Sequence, residues 1–211
     1  SADTFEQVKA YLSRVKLDIN EAGLLLRKAL KGVNLKTLTP EKFIQYIINT
    51  KKPKNFAEVI LASPECRKAS GYSDSDLEIL ACIGTVMPSY AHNNGGHYKT
   101  FKNYAIPLPC LMGYVSAPLF TQDKGSLDDA MLSHHLVVDT THYNREIEKR
   151  LLPILIEMNS QASAFGKKLK VTIPGLGCGL FAGPYGDQGN RSIYSDLNHA
   201  LKELIKNHAA E

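Results

Sequence analysis

Four glycines within nine residues form the stretch of this sequence whose spacing is best suited to chemistry. Gly175, Gly177, Gly179 and Gly183 follow an alternating apolar run at 169–173, and a helical pattern comes after them. Glycine lets the main chain approach a ligand closely, and the unpaired N–H groups at a helix start favour an anion. This order of strand, glycine turn and helix predicts a phosphate-binding loop, with a purely structural tight turn as the alternative.

The loop also fits part of a dinucleotide-binding pattern, because Gly177, Gly179 and Ala182 match G-x-G-x-x-A. That pattern belongs to the first turn of a βαβ unit, with an acid at the end of the next strand. Here the sequence after the loop has room for one helix. A Walker loop requires Gly-Lys-Ser/Thr at its end, which this loop lacks. Both patterns are therefore disfavoured.

Two carboxylates are candidates for catalysis near such a loop. Asp187 follows the glycines, and Asp139 ends an apolar run at 134–139 that is typical of a buried strand. Each has a structural alternative, since Asp187 could cap the last helix and Asp139 could hold a turn with the threonines after it. The sequence therefore predicts catalytic roles for both, against these alternatives.

Neither a metal nor a cofactor is predicted. The four cysteines show no C-x-x-C spacing, and the adjacent pair His134 and His135 is joined by no carboxylate or thiol at ligand spacing. Cys178 lies between two glycines without a clear base, which favours a small loop residue over a nucleophile.

Composition narrows the partners and the compartment. The net charge of +4 is mild, and no basic face with interleaved aromatics stands out, which disfavours nucleic acid and suits a small anionic ligand. The uncharged stretch 104–122 is interrupted by three prolines, so we expect no membrane span there. The cysteine usage favours the cytoplasm or another reducing compartment, while export by a non-classical route stays open.

The predicted secondary-structure elements, which must position the glycine loop, change in type near residue 75. The first part is helical: apolar residues recur at helical spacing over 5–19, Thr39 and Pro40 start a second helix, and 56–61 suggests a short third one. We expect a helical extension over 1–75 and an α/β domain over 76–211.

The second part alternates strands and helices. Strands are predicted at 77–86, 111–120, 134–139 and 169–173. Helices are predicted at 144–165, with a kink or boundary at Pro153, and at 190–207. This alternation indicates an α/β sandwich with a largely parallel sheet.

The segment 133–208 resembles the C-terminal half of a macrodomain, the ADP-ribose-binding fold. The specific part is PGLGCGLFAG at 174–183, which matches the family's Pro-x-Leu-Gly-x-Gly-Leu/Phe-x-Gly loop. A second family loop has Asn followed by Gly-Gly, and 93–96 offers Asn-Asn-Gly-Gly, with His97 in place of a third glycine. With that loop the resemblance covers about 75–208.

The resemblance implies a macrodomain-like three-layer α/β/α sandwich with a mixed, largely parallel sheet and an N-terminal helical extension. It also implies binding of ADP-ribose or of an ADP-ribosylated protein, with release of ADP-ribose by hydrolysis as the expected activity. A non-catalytic ADP-ribose reader and a nucleotide-processing enzyme that shares only the loop are the alternatives. The implied ligand-binding residues are Asn93, Asn94, Gly95, Gly96, His97, Gly175, Leu176, Gly177, Cys178, Gly179, Leu180, Phe181, Ala182, Gly183 and Tyr185.

The chain departs from one hydrolase subset of this family. That subset carries a catalytic acid two residues beyond its Gly-Cys-Gly, and here Phe181 stands at that position. The Gln-Glu-Glu acid pair of poly-ADP-ribose glycohydrolases is also missing. The sequence therefore favours ADP-ribose binding more strongly than it favours hydrolysis.

Overall fold

The computed structural model of the protein describes residues 2–50, 65, 69–94, 102–120, 126–132, 137–185 and 192–208. The elements used below are helices α1 (Ala2–Leu17), α2 (Leu24–Ala29), α3 (Pro40–Thr50) and α4 (Asp74–Ala81), strands β1 (Thr85–Asn93) and β2 (Asn103–Tyr114), and helices α5 (Thr140–Ala164) and α6 (Ile193–His208). Short 3-10 segments occur at Ile19–Glu21, Leu35–Thr37, Leu127–Met131 and Leu180–Tyr185.

The N-terminal helices share a hydrophobic core, as the apolar spacing predicts. One face of α1 buries residues three and four apart, and α3 packs its own apolar stripe against that face. The largest buried side chains of this core are Val8, Tyr11, Val15, Leu26, Phe43, Ile47, Leu77 and Leu80. The helix predicted at 56–61 lies outside the described residues.

A buried carboxylate joins three of these helices. Asp76, with no exposed surface, accepts hydrogen bonds from the Tyr11 hydroxyl (2.6 Å), the Gly23 N–H (3.0 Å) and the Ser73 N–H (3.0 Å). A Cβ at Gly23 would lie 2.3 Å from Asp76 Oδ2, so only glycine fits there. Burial raises the pKa of Asp76, and the hydrogen bonds from Tyr11, Ser73 and Gly23 act against that rise. The network therefore fixes the start of α4 against α1 and the N-terminus of α2.

Replacing Tyr11 with phenylalanine should lower the free energy of unfolding by about 1–3 kcal/mol, because one donor to a buried carboxylate is lost. Urea denaturation measures this change, with Tyr90→Phe on an exposed tyrosine as the control. Equal midpoints for the two variants would contradict the role given to this contact.

The strand predicted at 77–86 is wrong over its first half, because residues up to Ala81 belong to α4. Ser73 and Asp76 form a capping box there, and a short apolar run after such a cap fits a buried helix as well as a strand. The buried residues of α4 pack into the N-terminal core, beyond the predicted boundary at 75. The domain limits themselves stay a prediction.

The described sheet is an antiparallel hairpin of two strands. β1 pairs with β2 from Thr85 opposite Tyr114 to Asn93 opposite Asn103. The predicted strand 111–120 is right only up to Tyr114, and the one predicted at 169–173 is wrong, because those residues have no regular structure. An apolar alternating run becomes a strand only where a neighbour completes its ladder. Of the strand predicted at 134–139, residues 134–136 lie outside the described residues, and Val138 forms an isolated bridge with Leu132.

The two long helices form a second core. α5 continues through Pro153 to Ala164, so the predicted helix is confirmed without a boundary at the proline. It packs on α6. The observed helix α6 confirms the last helix predicted from the sequence. Together with the hairpin they make the chain an α/β protein. Within the described parts of the chain, no helix has both the length and the apolar character needed to cross a membrane.

Candidate functional site

The glycine loop lies between α5 and α6 and packs against the segment 118–120. The Phe120 N–H donates to the Phe181 carbonyl at 2.9 Å. Gly177 and Gly183 have φ values of 75° and 53°, and a Cβ would lie 2.8 Å from the Pro118 carbonyl oxygen and 2.5 Å from that of Phe120, respectively. These two glycines are therefore required by the fold, since both the φ value and the backbone contact exclude a side chain.

The two other glycines of the loop have no such structural requirement. Among the described residues, a Cβ on Gly179 would meet no atom within 4 Å, and one on Gly175 would meet Cys178 Cβ at an ordinary contact distance of 3.5 Å. Neither glycine has a positive φ. Packing alone does not explain glycine at position 179, where open space adjoins the main chain. A ligand that approaches the backbone closely would explain it.

The other described residues of the loop pack against one of the two hydrophobic cores or lie beside them. Ala182 and Tyr185 are buried in the second core, and the Tyr185 ring lies edge-on to Phe120 with centroids 5.7 Å apart. Leu176 is half-buried against the same core, whereas Phe181 packs against the N-terminal core. The loop is thus held by both cores, and the backbone of Leu180 begins the 3-10 segment that ends it.

Cys178 is half-buried within the loop. Its Sγ lies 3.7 Å from the Leu176 carbonyl, and burial raises the pKa of the thiol. A raised pKa keeps the thiol protonated near neutral pH, where the thiolate would be the reactive form. The structure thus agrees with a small loop residue at this position.

The predicted carboxylates differ in how far the structure describes them. Asp139 caps α5: its side chain accepts from the His142 N–H at 2.9 Å, and its own N–H donates to the Met131 carbonyl at 2.8 Å. The carboxylate is exposed to solvent. Asp187 lies outside the described residues. The capping role of Asp139 is therefore observed, while the catalytic roles of both residues stay predictions.

The predicted asparagine loop lies at the far end of the hairpin. Asn94 closes that end with Lys102 through two hydrogen bonds, from its N–H to the Lys102 carbonyl (3.1 Å) and from the Lys102 N–H to Asn94 Oδ1 (3.0 Å). Gly95, Gly96 and His97 lie outside the described residues.

The asparagines and the chain segment that packs on the glycine loop lie at opposite ends of the hairpin. With a rise of about 3.3 Å per residue, Asn93 is roughly 26 Å along the hairpin from Thr85. The opposite strand leaves that near end at Tyr114 and continues into the segment that packs on the glycine loop. The segment that packs on the glycine loop therefore continues from the near end of the hairpin, while Asn93 and Asn94 lie at its far end.

Sequence reasoning missed the ion pair that supports the loop. Arg150, on α5, binds the Asp128 carboxylate, and both side chains are almost fully buried. The Leu119 N–H donates to the other Asp128 oxygen at 2.8 Å, and Ser126 Oγ donates to the Leu119 carbonyl at 2.6 Å. Burial acts to lower the pKa of Arg150, but the Asp128 carboxylate, together with Cys82 and Glu146, raises that pKa overall. The pair thus anchors the chain segment that carries the Pro118 and Phe120 carbonyls.

One sequence signal could have pointed to this pair. Arg150 falls on the apolar face of α5, beside Ile147, Leu151 and Ile154. A charged residue within a buried stripe requires a partner, and Asp128 stands at an inner position of a Ser-x-x-Asp capping box formed by Ser126 and Asp129.

Comparison with protein families identifies the class of this fold and loop as the macrodomain. The match is to the family described as macrodomain effector MavL, and it extends over residues 1–211, the N-terminal helices included. The chain therefore belongs to the macrodomain effector MavL family, which confirms the resemblance inferred from the glycine loop. No curated protein matches the chain.

Proposed function

We propose that this protein binds ADP-ribose through the main chain of the 175–183 loop and hydrolyses ADP-ribose from a modified protein. The observation that carries the binding proposal is the open space at Gly179, on a loop whose shape is fixed by Gly177 and Gly183. Macrodomain membership supports ADP-ribose as the ligand. The loop amides would contact the diphosphate, because backbone N–H groups of a glycine turn favour anions.

Further parts of the proposal concern the ribose position, the sheet and the compartment, and they do not rest on contacts among the described residues. We place the distal ribose near Asn93 or Asn94, since an amide side chain both donates to and accepts from hydroxyls. The same family pattern leads us to propose a three-layer sandwich with a mixed, largely parallel sheet. The cysteine usage leads us to propose a reducing compartment as the place of action.

Hydrolysis requires a group that orients or deprotonates a water at the anomeric carbon. Asp187 and Asp139 are the proposed candidates. Phe181 favours the second function, a non-catalytic reader, because an aromatic ring stands where one hydrolase subset has its acid and packs against the N-terminal core.

The activity proposal predicts that removing one carboxylate stops hydrolysis without preventing binding. Asp187→Asn or Asp139→Asn should slow ADP-ribose release from a modified protein by about 100-fold or more, the usual contribution of a positioned acid or base. Asparagine is as good a helix cap as aspartate, so Asp139→Asn separates a catalytic role from the capping role. Calorimetry should find ADP-ribose affinity nearly unchanged in both variants.

Three results would revise the proposal in distinct ways. Full hydrolysis by both variants would remove these aspartates from the mechanism. Binding of ADP-ribose without release by the wild-type protein would establish the reader. Failure of ADP-ribose to bind the wild-type protein would overturn the ligand assignment, and parallel titrations with ADP and NAD would show whether another nucleotide takes its place.

A further inference from the structure

The positive charge of the chain is concentrated in one stretch, residues 14–36. Six basic and two acidic residues lie within it, so its net charge of +4 equals that of the whole chain of 211 residues. The stretch contains the end of α1, the 3-10 segment Ile19–Glu21, helix α2 and most of the 3-10 segment Leu35–Thr37. The remaining residues of the chain therefore carry no net charge.

The lysines of this stretch have no acidic partner. They are exposed, at positions Lys16, Lys28, Lys31 and Lys36. Among the described residues, no carboxylate lies within 4 Å of any of these four ammonium groups. The two acids of the stretch have partners close by: Asp18 accepts from the Asn20 N–H at 2.9 Å, and Glu21 Oε2 lies 3.4 Å from Arg14 Nε. The lysines therefore present unpaired positive charge to the solvent.

Two leucines protrude beside these lysines. Leu17 is 90% exposed at the end of α1, and Leu24 is 47% exposed at the start of α2. Leu24 and Lys28 lie four residues apart, which places them on one face of α2, while the opposite face packs into the N-terminal core. Arg27 donates to Asn20 Oδ1 at 2.8 Å and so ties α2 to the segment that follows Leu17. Apolar side chains and unpaired lysines thus adjoin one another on this surface.

The composition of this surface favours a lipid bilayer over a protein partner. Protein interfaces are enriched in aromatic residues and arginine, and they are depleted in lysine. Residues 14–36 include no aromatic residue, and both of their arginines are already engaged, Arg14 with Glu21 and Arg27 with Asn20. Lysine is attracted to anionic lipids as a point charge, and leucine inserts at the boundary between headgroups and acyl chains.

We propose that the surface formed by residues 14–36 binds a bilayer that contains anionic lipids. The four lysine ammonium groups contact the headgroups, and the side chains of Leu17 and Leu24 enter the interface. The cytoplasmic leaflet of a membrane carries a negative surface potential, which fits the reducing compartment proposed for this protein. This peripheral contact does not depend on ADP-ribose binding, because no residue of the 175–183 loop takes part in it.

The test sediments the full chain with vesicles of phosphatidylcholine, prepared with and without phosphatidylserine. We expect binding only to the vesicles with phosphatidylserine, and release at high salt, because salt screens exposed charges. The double variant Lys28→Gln, Lys31→Gln should bind these vesicles about 20-fold more weakly, since each lysine near an anionic surface contributes about fivefold. The matched control Lys202→Gln, Lys206→Gln, at exposed positions of α6, has the same net charge and should bind as the wild type does.

Leu17→Ser tests the apolar part of the contact. It should weaken vesicle binding about tenfold, the effect of withdrawing one leucine from the interface, and leave the thermal melt unchanged because Leu17 is exposed. Equal binding to both kinds of vesicle, binding to neither, or equal weakening by the two lysine pairs would each overturn the proposal. Full binding by Leu17→Ser would overturn the lipid assignment as well, and binding of polyglutamate by the wild type would then identify an acidic polypeptide as the occupant.

Discussion

Replacing Arg150 with methionine should lower the free energy of unfolding by about 3–5 kcal/mol, because it leaves the Asp128 carboxylate buried and unpaired. Both side chains of this pair are at most 6% exposed, so water cannot take the place of the lost partner. Arg150 also donates through Nη1 to the Ser116 carbonyl at 3.4 Å. A domain of this size has a total stability of only about 5–15 kcal/mol, so the loss should be visible as an early urea midpoint.

The effect should reach the glycine loop through the chain segment between the two cores. Leu119 belongs to the N-terminal core and Phe120 to the second one, and Asp128 holds the Leu119 N–H from the opposite side. When Asp128 loses Arg150, the carbonyls that pack on Gly177 and Gly183 lose their support. We therefore expect Arg150→Met to weaken ADP-ribose binding as well, at temperatures where the variant is still folded.

A double-mutant cycle with Asp128→Asn separates the pair from its surroundings. Asparagine can still accept from the Leu119 N–H, so the double variant removes two buried charges and retains this hydrogen bond. We expect it to lose less stability than the sum of the single variants, with a coupling of about 0.5–3 kcal/mol. Lys202→Met, at an exposed position of α6, is the control and should stay within about 0.5 kcal/mol of the wild type. Additive losses, or a midpoint of Arg150→Met equal to that of Lys202→Met, would contradict the importance of the pair.

Helices of this protein were predictable because their signals are local. The apolar spacing of α1 and α6 and the Thr39-Pro40 start of α3 are complete within each segment, so the structure confirms them. α4 was missed because eight residues are too few for periodicity to separate a buried helix from a strand, and its Ser73 cap resembles a turn. Strands depend on partners distant in sequence, which explains why 169–173 alternates as a strand should and yet has no ladder.

In the candidate site, too, features set by nearby residues were predictable, and features that depend on residues distant in sequence were not. Glycine spacing alone predicted the loop, but not which glycines serve the fold. That distinction rests on the Pro118 and Phe120 carbonyls, which lie more than fifty residues away in sequence. Likewise, the pairing of Arg150 with Asp128 depends on where the 3-10 segment meets α5, and no spacing within either segment encodes it.

The same single methyl group, added at two positions of the glycine loop, should have opposite effects. Gly183→Ala should cost about 2 kcal/mol or more of stability, because alanine is strained at positive φ and its Cβ would lie 2.5 Å from a backbone oxygen. Gly179→Ala meets no atom of the described residues within 4 Å and no positive φ, so its stability should equal that of the wild type or exceed it by up to about 1 kcal/mol, the entropic gain of replacing glycine.

For the affinity for ADP-ribose, in contrast to stability, we expect Gly179→Ala to be the more harmful of the two substitutions. If the diphosphate occupies the open space at Gly179, a methyl group there displaces it from the loop amides, and the Kd for ADP-ribose should rise about tenfold or more, the loss of one or two hydrogen bonds to a charged group. Calorimetry gives the affinity and a thermal melt gives the stability of the same sample. Unchanged affinity in a stable Gly179→Ala variant would mean that the space at position 179 lies outside the ligand site, and would leave the structural turn as the better account of this loop.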